Sequence, residues 1–327
     1  MTPRAEAYRI AMTHYLIGRA LGAVPLIFGI SLVLFGVIHL APGGPLDVYG
    51  DNPSVSPEAL DQIRKAYGLD QPLPIQYLLW LKAMLIGDWG FSFRTGRPVV
   101  SEIAGRLAPT LQLGGLSLAV SLLIALPLGV VSAARQHSLL DQGLTFLSFV
   151  GISVPVFWLA LLLQLLFSIA LGWLPSAGYE TIGNGGLGDR LAHIAMPAAV
   201  LSLATVASWS RYIRSGMLDT LGQDYIRTAR AKGLSRVAVL MRHALRNAMI
   251  PAVTIIALDL ASVISGAVIT ETVFSWPGIG RLFIESMDGR DYPVLMGLMV
   301  MGSCALILAN LVADLAYSAL DPRIRYG

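Results

Sequence analysis

The sequence is short of charge and almost without cysteine. Asp, Glu, Lys and Arg make up 13% of its 327 residues, about half the share of an ordinary soluble domain, which excludes a chain wetted over its whole surface. Its one cysteine, Cys304, excludes a disulfide framework or a thiolate metal site built within the chain. Lying in an apolar run, it reads as a small packing residue. No G-x-x-x-x-G-K-[ST] loop is present to cradle nucleotide phosphates, and the H-E-x-x-H and G-x-S-x-G patterns are missing too. The 5 histidines are scattered over different segments. An enzyme therefore lacks a site, and neither a cofactor nor a metal is expected in this chain. Gly278 and Gly280 have neither the preceding strand nor the third glycine of a dinucleotide motif, so they read as a turn.

What the sequence has is apolar length. Hydrophobic residues make up 55% of the chain and the mean hydropathy is +0.67. Runs of at least about 18 mostly apolar residues are long enough to cross a bilayer as helices. Six occur, near residues 20–41, 111–134, 144–171, 191–210, 248–270 and 293–318. This predicts an all-α integral membrane protein. The first run comes after Arg4, Arg9 and Arg19 but is longer than a signal-peptide core and has no small-x-small cleavage site beyond it, so it reads as an uncleaved span.

An even number of spans puts both termini on one side. That side, with loops 135–143 and 211–247, carries about 14 Lys and Arg against 9 on the other, and basic loops stay cytoplasmic. The expected organisation is a cytoplasmic N-terminus and first span at 1–41, an extracytoplasmic insertion at 42–108, and a five-span core at 109–318. A cytoplasmic loop lies at 211–247 and a cytoplasmic tail at 319–327. The net charge of +3 then belongs to membrane loops, with the lipid bilayer and no nucleic acid as partner.

Within the insertion, Ser56 as N-cap, Pro57 at the first helical position, Leu60, Ile63 and Tyr67 on one stripe, and Gly68 as the stop spell a helix. A second apolar stretch, Ile75 to Ile86, is too short to span and ends at Gly87 and Asp88.

The 211–247 loop is long for a helix connection. Asp224 is expected to cap a short helix running through Lys232, and Gly233 to end it in a left-handed conformation. Val237, Leu240, Met241 and Ala244 then fall at i, i+3, i+4 and i+7, which predicts a second helix with one apolar face. Charged groups inside spans are costly and tend to face a cavity or a partner. Asp259, in the fifth span, stands open between lining a path and bonding a neighbouring helix. Glu271 is expected at a solvated outer boundary, and Asp314 within reach of interfacial water or Arg323.

The segment GQDYIRTARAKGLSRVAVLMRHALRNAMIPAV, from Gly222 to Val253, resembles the EAA loop of importer permeases of the ATP-binding cassette superfamily. Aligned on Gly233, it keeps Ala229, Gly233 and Leu245 of the general pattern. The closer likeness is to the dipeptide and oligopeptide branch, whose DY-RTARAKGL and RHALRNA-IP it resembles. Similar matches run along nearly the whole chain: APGGPLD, YGLDQPLPIQYL, GDWGFSFRTGRPV, GISVPVFWLA, GWLPSAGY, ETVFSWPGIGRL, RDYPVL and DPRIRYG. Where the branch commonly has Asp this chain has Gly44, so no role of that carboxylate transfers.

The resemblance implies a type I importer permease fold of about six spans in a bacterial or archaeal inner membrane, forming half of a translocation pathway. It implies a second homologous permease, two ATPase subunits that hold ATP and Mg, and an extracytoplasmic substrate-binding protein. Coupling to the ATPases falls on Asp224, Tyr225, Arg227, Thr228, Ala229, Arg230, Ala231, Lys232, Gly233, Leu234 and Ser235, while Asp259 and Glu271 are candidates for the translocation path. The implied cargo is a di- or oligopeptide, although the branch also carries glutathione, metal chelates and haem. The rival reading is an ion-coupled secondary transporter or channel without ATPase partners, which calls for paired broken helices in internal repeats; no repeat is visible.

Overall fold

The computed structural model describes residues 3–40, 56–66, 68–264 and 266–320. The APGGPLD and DPRIRYG matches lie outside them, as do the side chain of Asp314 and the Leu60, Ile63 and Tyr67 stripe. Described residues form helices: α1 (Pro3–Leu40), α2 (Pro57–Ala66), α3 (Leu73–Leu85), α4 (Val99–Ala134), α5 (Leu139–Ser153) and α6 (Val156–Leu163), which continues as a π-helical stretch Gln164–Ala170. Next in the chain come α7 (Leu187–Leu221), α8 (Asp224–Ala231), α9, α10 (Val268–Val273), α11 (Ile279–Asp288) and α12 (Tyr292–Leu320). Helix α9 begins as Arg236–Ala238, passes through a π-helical stretch Val239–Ala244, and runs on as Leu245–Ile264.

Val99–Ala134, Leu187–Leu221 and Tyr292–Val312 are each long and apolar enough to cross a membrane. Leu139–Ser153 and Val156–Ala170 together make a fourth such element, bent by 98°. The bend has a local cause. Pro155 has no N–H to continue the α5 ladder and holds Val154 extended at ψ 123°, so one helix ends and another begins. Helices α1 and α9 supply the remaining apolar runs read from the sequence.

Two boundaries differ from expectation. The fourth span does not stop near residue 210: α7 continues as helix to Leu221, so the first third of the expected loop is a rigid extension of the bundle. The fifth does not reach residue 270. It ends at Ile264, and Gly266, at φ 81°, turns the chain into the separate helix α10, because a left-handed residue cannot continue a right-handed ladder.

Helices α4, α7 and α9 form the centre. Gly129 of α4 lies against the Ser210 carbonyl and Ile213 of α7, and Gly216 of α7 lies against the Ala248 carbonyl of α9. Small residues allow this backbone approach, which replaces water-driven burial as the source of packing between apolar helices in lipid. At 36 residues, α4 is about 54 Å long, so its two ends belong to different environments. Outside the centre, Ser56 leads into α2. The Glu58 carboxylate is held below its ordinary pKa by backbone hydrogen bonding at its own position and by the Ser56 hydroxyl.

Candidate functional site

The most organised exposed feature is the corner made by the end of α7, α8, Gly233 and the start of α9. The N-cap of α8 is Gln223, whose side chain makes no cap hydrogen bond, so the expected Asp224 cap is displaced by one residue. Asp224 sits instead in the first turn, where a carboxylate complements the helix dipole, and pairs with Arg227 at 3.3 Å in full view of solvent. Ile226 and Ala229, spaced i and i+3, are buried, whereas Tyr225, Arg227, Thr228, Arg230, Ala231 and Lys232 face outward. Gly233 closes the helix at φ 78°, the left-handed stop expected of it. After Leu234, the Ser235 hydroxyl accepts the Ala238 N–H at 3.3 Å and starts α9.

The inward face of α9 is not the stripe that an ideal period predicts. Val237 is 69% exposed and Met241 51%, while Val239, Ala244, Ala248 and Ala252 are buried. The π-helical stretch Val239–Ala244 is the cause: its wider turn shifts the register, so of the expected stripe Leu240 and Ala244 pack inward while Val237 and Met241 are left exposed. Ile226, Ala229, Val239, Ala244 and Ala248 form one apolar cluster with Trp209, Ile213 and Met217 of α7. The corner is thus packed on the base of the bundle.

Polar contacts fix it further. Arg214 of α7 donates through Nε and Nη2 to both oxygens of Asp141 at 2.7 and 2.8 Å. Asp141 also accepts from the Ser132 hydroxyl and from the His137 N–H at 3.0 Å, so this fork ties the α4–α5 turn to α7. Arg236 donates to the Ala134 carbonyl at the end of α4, where a cation suits the helix dipole, and Asn247 donates to the Tyr225 hydroxyl at 2.7 Å. Sequence reasoning missed Asp141 and Arg214; the signal was a Ser138-x-x-Asp141 cap after a basic turn.

The two carboxylates read as path candidates lie elsewhere. Asp259 accepts the Trp209 indole N–H at 2.6 Å, the helix-bonding alternative, and remains partly accessible. Glu271 is 0% exposed. It accepts from the Thr110 hydroxyl at 2.9 Å, the Arg281 N–H at 3.1 Å and the Ala267 N–H at 3.3 Å. The solvated boundary expected for it is therefore corrected. Gly278 lies against its carboxylate, where a side chain would collide with it, and Gly280 lies against the Val268 backbone, which a side chain there would strike. Gly278 stands in the turn expected of it as the N-cap of α11, whereas Gly280 lies inside the first turn of that helix.

With this geometry in place, the family is decided by a match of residues 125–326 to the binding-protein-dependent transport system inner membrane component, and of residues 12–114 to the N-terminal unit of such components. The chain belongs to that family. The permease is 44% identical over 317 residues to the oligopeptide transport system permease protein AppB of Bacillus subtilis, covering 96% of this chain and 100% of the relative. It is 38% identical over 335 residues to the dipeptide transport system permease protein DppB of Alkalihalophilus pseudofirmus, covering 96% and 100%. Its fold is similar to a chain in inward-facing conformations of the MetNI methionine ABC transporter, with a TM-score of 0.56 at 16% identity, over 67% of this chain and 96% of that one. It has the type I importer permease fold and is a multi-pass inner-membrane subunit of an ATP-binding cassette importer.

In the permease, the eleven candidate residues, Asp224 to Ser235 without Ile226, do not lie on one surface. Ala229 turns inward beside Ile226, the other ten remain at the surface, and Gly233 sets the angle between the two helices. Asp259 bonds Trp209 of α7, and Glu271 bonds Thr110 of α4 and Arg281 of α11.

Proposed function

We propose that this permease is one of two membrane halves of an ATP-driven importer of peptides, and that α8 receives the motion of an ATPase subunit. The observation that carries the reading is the construction of the corner: a short helix with Ile226 and Ala229 inward, Tyr225, Arg227, Thr228 and Leu234 outward, and a base cross-tied by Arg214 and Asp141. A push on such a helix is passed to α7 and α9 as rigid bodies, because packed interfaces shift rather than deform. The relatives named for oligopeptide and dipeptide transport support a peptide cargo. The chain itself supplies no catalysis and holds no cofactor; ATP and Mg belong to two ATPase partners, selection belongs to an extracytoplasmic binding protein, and a second homologous permease completes the path. Both termini and the corner are cytoplasmic, and 42–108 is external, which the excess of basic residues supports.

The test is Gly233→Val in the assembled importer. A β-branched residue at φ 78° costs about 1–2 kcal/mol, while the flanking spans keep their own backbone hydrogen bonds. Membrane levels stay near normal, and ligand-stimulated ATP hydrolysis and peptide uptake are lost. If the corner instead served to bind anionic lipid, reversing Arg230 and Lys232 would do the damage and Gly233→Val would transport at the wild-type rate.

A further inference from the structure

At the Val99 end of α4, opposite the corner, a cavity of about 680 Å³ opens between α1, α3 and the start of α12. This lies within the roughly 300–1,000 Å³ of small-ligand sites. Phe35, Trp80, Trp89, Phe93, Tyr292 and Met296 line it. The walls are held in place rather than collapsed. Phe35 packs edge-on to Tyr77 with ring centres 5.4 Å apart, and the Tyr77 hydroxyl pairs with Ser31 at 2.9 Å. Asp291 accepts from the Phe93 N–H at 3.0 Å and from the Ser92 hydroxyl, which fixes the loop forming the far wall.

The His39 and Gln76 side chains of the lining are engaged with the protein. His39 pairs through Nδ1 with the Phe35 carbonyl at 2.8 Å and through Nε2 with Gln76 at 3.2 Å, and the Gln76 amide donates to the Gln71 carbonyl at 2.7 Å. A peptide entering there would bury amides against rings without partners, at a high desolvation cost. An alkyl chain meets no such cost. Among the described lining residues the charged side chains are Lys65 and Asp88, both exposed, a cation and an anion at the opening. Around it, Leu40 is 85% exposed, Leu85 80% and Ile86 74%, an apolar lip that suits acyl chains and not water. Trp80 and Trp89 in its wall are of the residue type that anchors chains at the headgroup level.

We propose that this cavity binds one zwitterionic phospholipid, an acyl chain among the rings, the phosphate at Lys65 and the headgroup ammonium at Asp88. The proposal rests on the membrane embedding of the permease and not on the identity of its cargo. It is tested in the complete importer, reconstituted in vesicles of equal phosphatidylethanolamine and phosphatidylglycerol, with a photo-crosslinking amino acid in place of Phe91 and mass spectrometry of the adducts. The expected adduct is phosphatidylethanolamine, favoured at least fivefold over phosphatidylglycerol. Ala83→Trp, which fills the cavity, lowers it at least tenfold, while adducts from the same label at Leu147, exposed on α5, do not change. Asp88→Asn, a surface change that leaves folding alone, abolishes the headgroup preference. Equal adducts from both lipids, no response to Ala83→Trp in a folded complex, or capture of the chain itself or of a peptide overturns the proposal. Peptide uptake is measured in the same vesicles, so failure of the importer reading appears separately, as absent uptake with the lipid adduct intact.

Discussion

The two ends of the bundle solve opposite problems. At the corner, the inward contacts of α8 are apolar, Ile226, Ala229, Ala244 and Ala248 among them, with the buried Asp141 bonding Arg214 behind them, and the exposed face carries Arg227, Arg230 and Lys232. At the far end polarity is turned inward: Glu271 and Asp291 are buried and accept hydrogen bonds from neighbouring helices and loops. Apolar packing lets a short helix move with its support while its outer face stays available to a partner. Buried carboxylates give a bonded cap that tolerates no change of partner, because an orphaned polar group in a dry site is expensive. The contrast is between a surface built to be pushed and one built to hold.

The strongest way to break this contrast is Glu271→Leu. Three donors lose their acceptor, each costing about 1–3 kcal/mol, and the folded protein recovered from membranes should fall at least tenfold. Glu271→Gln, which keeps an accepting oxygen, should recover much of it; equal yields for Leu and wild type would remove the holding role. Next in size is Ile226→Ala, which empties a fully buried site at about 2–5 kcal/mol. It should lower the thermal midpoint and also weaken ATPase association, because α8 loses its main inward contact. Gly216→Ala drives a methyl group into the Ala248 carbonyl, an overpacking cost of about 1–3 kcal/mol. Uptake per assembled complex should fall more than the amount of complex, as α7 and α9 part. The smallest effect on folding belongs to Arg227→Ala. Its pair with Asp224 is solvent-exposed and contributes little, so the thermal midpoint should not move. If α8 is the docking surface, ATPase affinity should nevertheless drop severalfold; an unchanged affinity would place the contact elsewhere on the corner.

Much of the corner was legible in one dimension. The left-handed stop at Gly233 is a local requirement: a turn directly after a helix favours the residue without a Cβ, and a glycine between two helical patterns reports it. The break at Pro155 is equally local. What failed was phase and partnership. The stripe Val237, Leu240, Met241 and Ala244 assumes 3.6 residues per turn, and the π-helical stretch of α9, which the apolar pattern does not announce, kept Leu240 and Ala244 inward, brought Val239 in beside them and left Val237 and Met241 exposed. Glu271 was placed by counting apolar residues to the end of a span, a count that passes over the break at Gly266.

By itself the sequence determined the properties set by nearest neighbours and by the solvent: which runs are long enough to lie in a bilayer, the helix stop at Gly233, which loops are basic, and through its motifs the family. The tertiary structure decided everything that needs two distant segments. The Thr110 hydroxyl and the Arg281 N–H meet at Glu271 across 161 and 10 residues of chain, and Arg214 reaches Asp141 across 73. The Ala248 carbonyl comes against Gly216 only when α9 folds back on α7. Hydrophobic length is a sum over adjacent residues and survives without a fold. Hydrogen-bond partnership is a matter of position in space, so a buried acceptor and an exposed one look alike until the chain is folded.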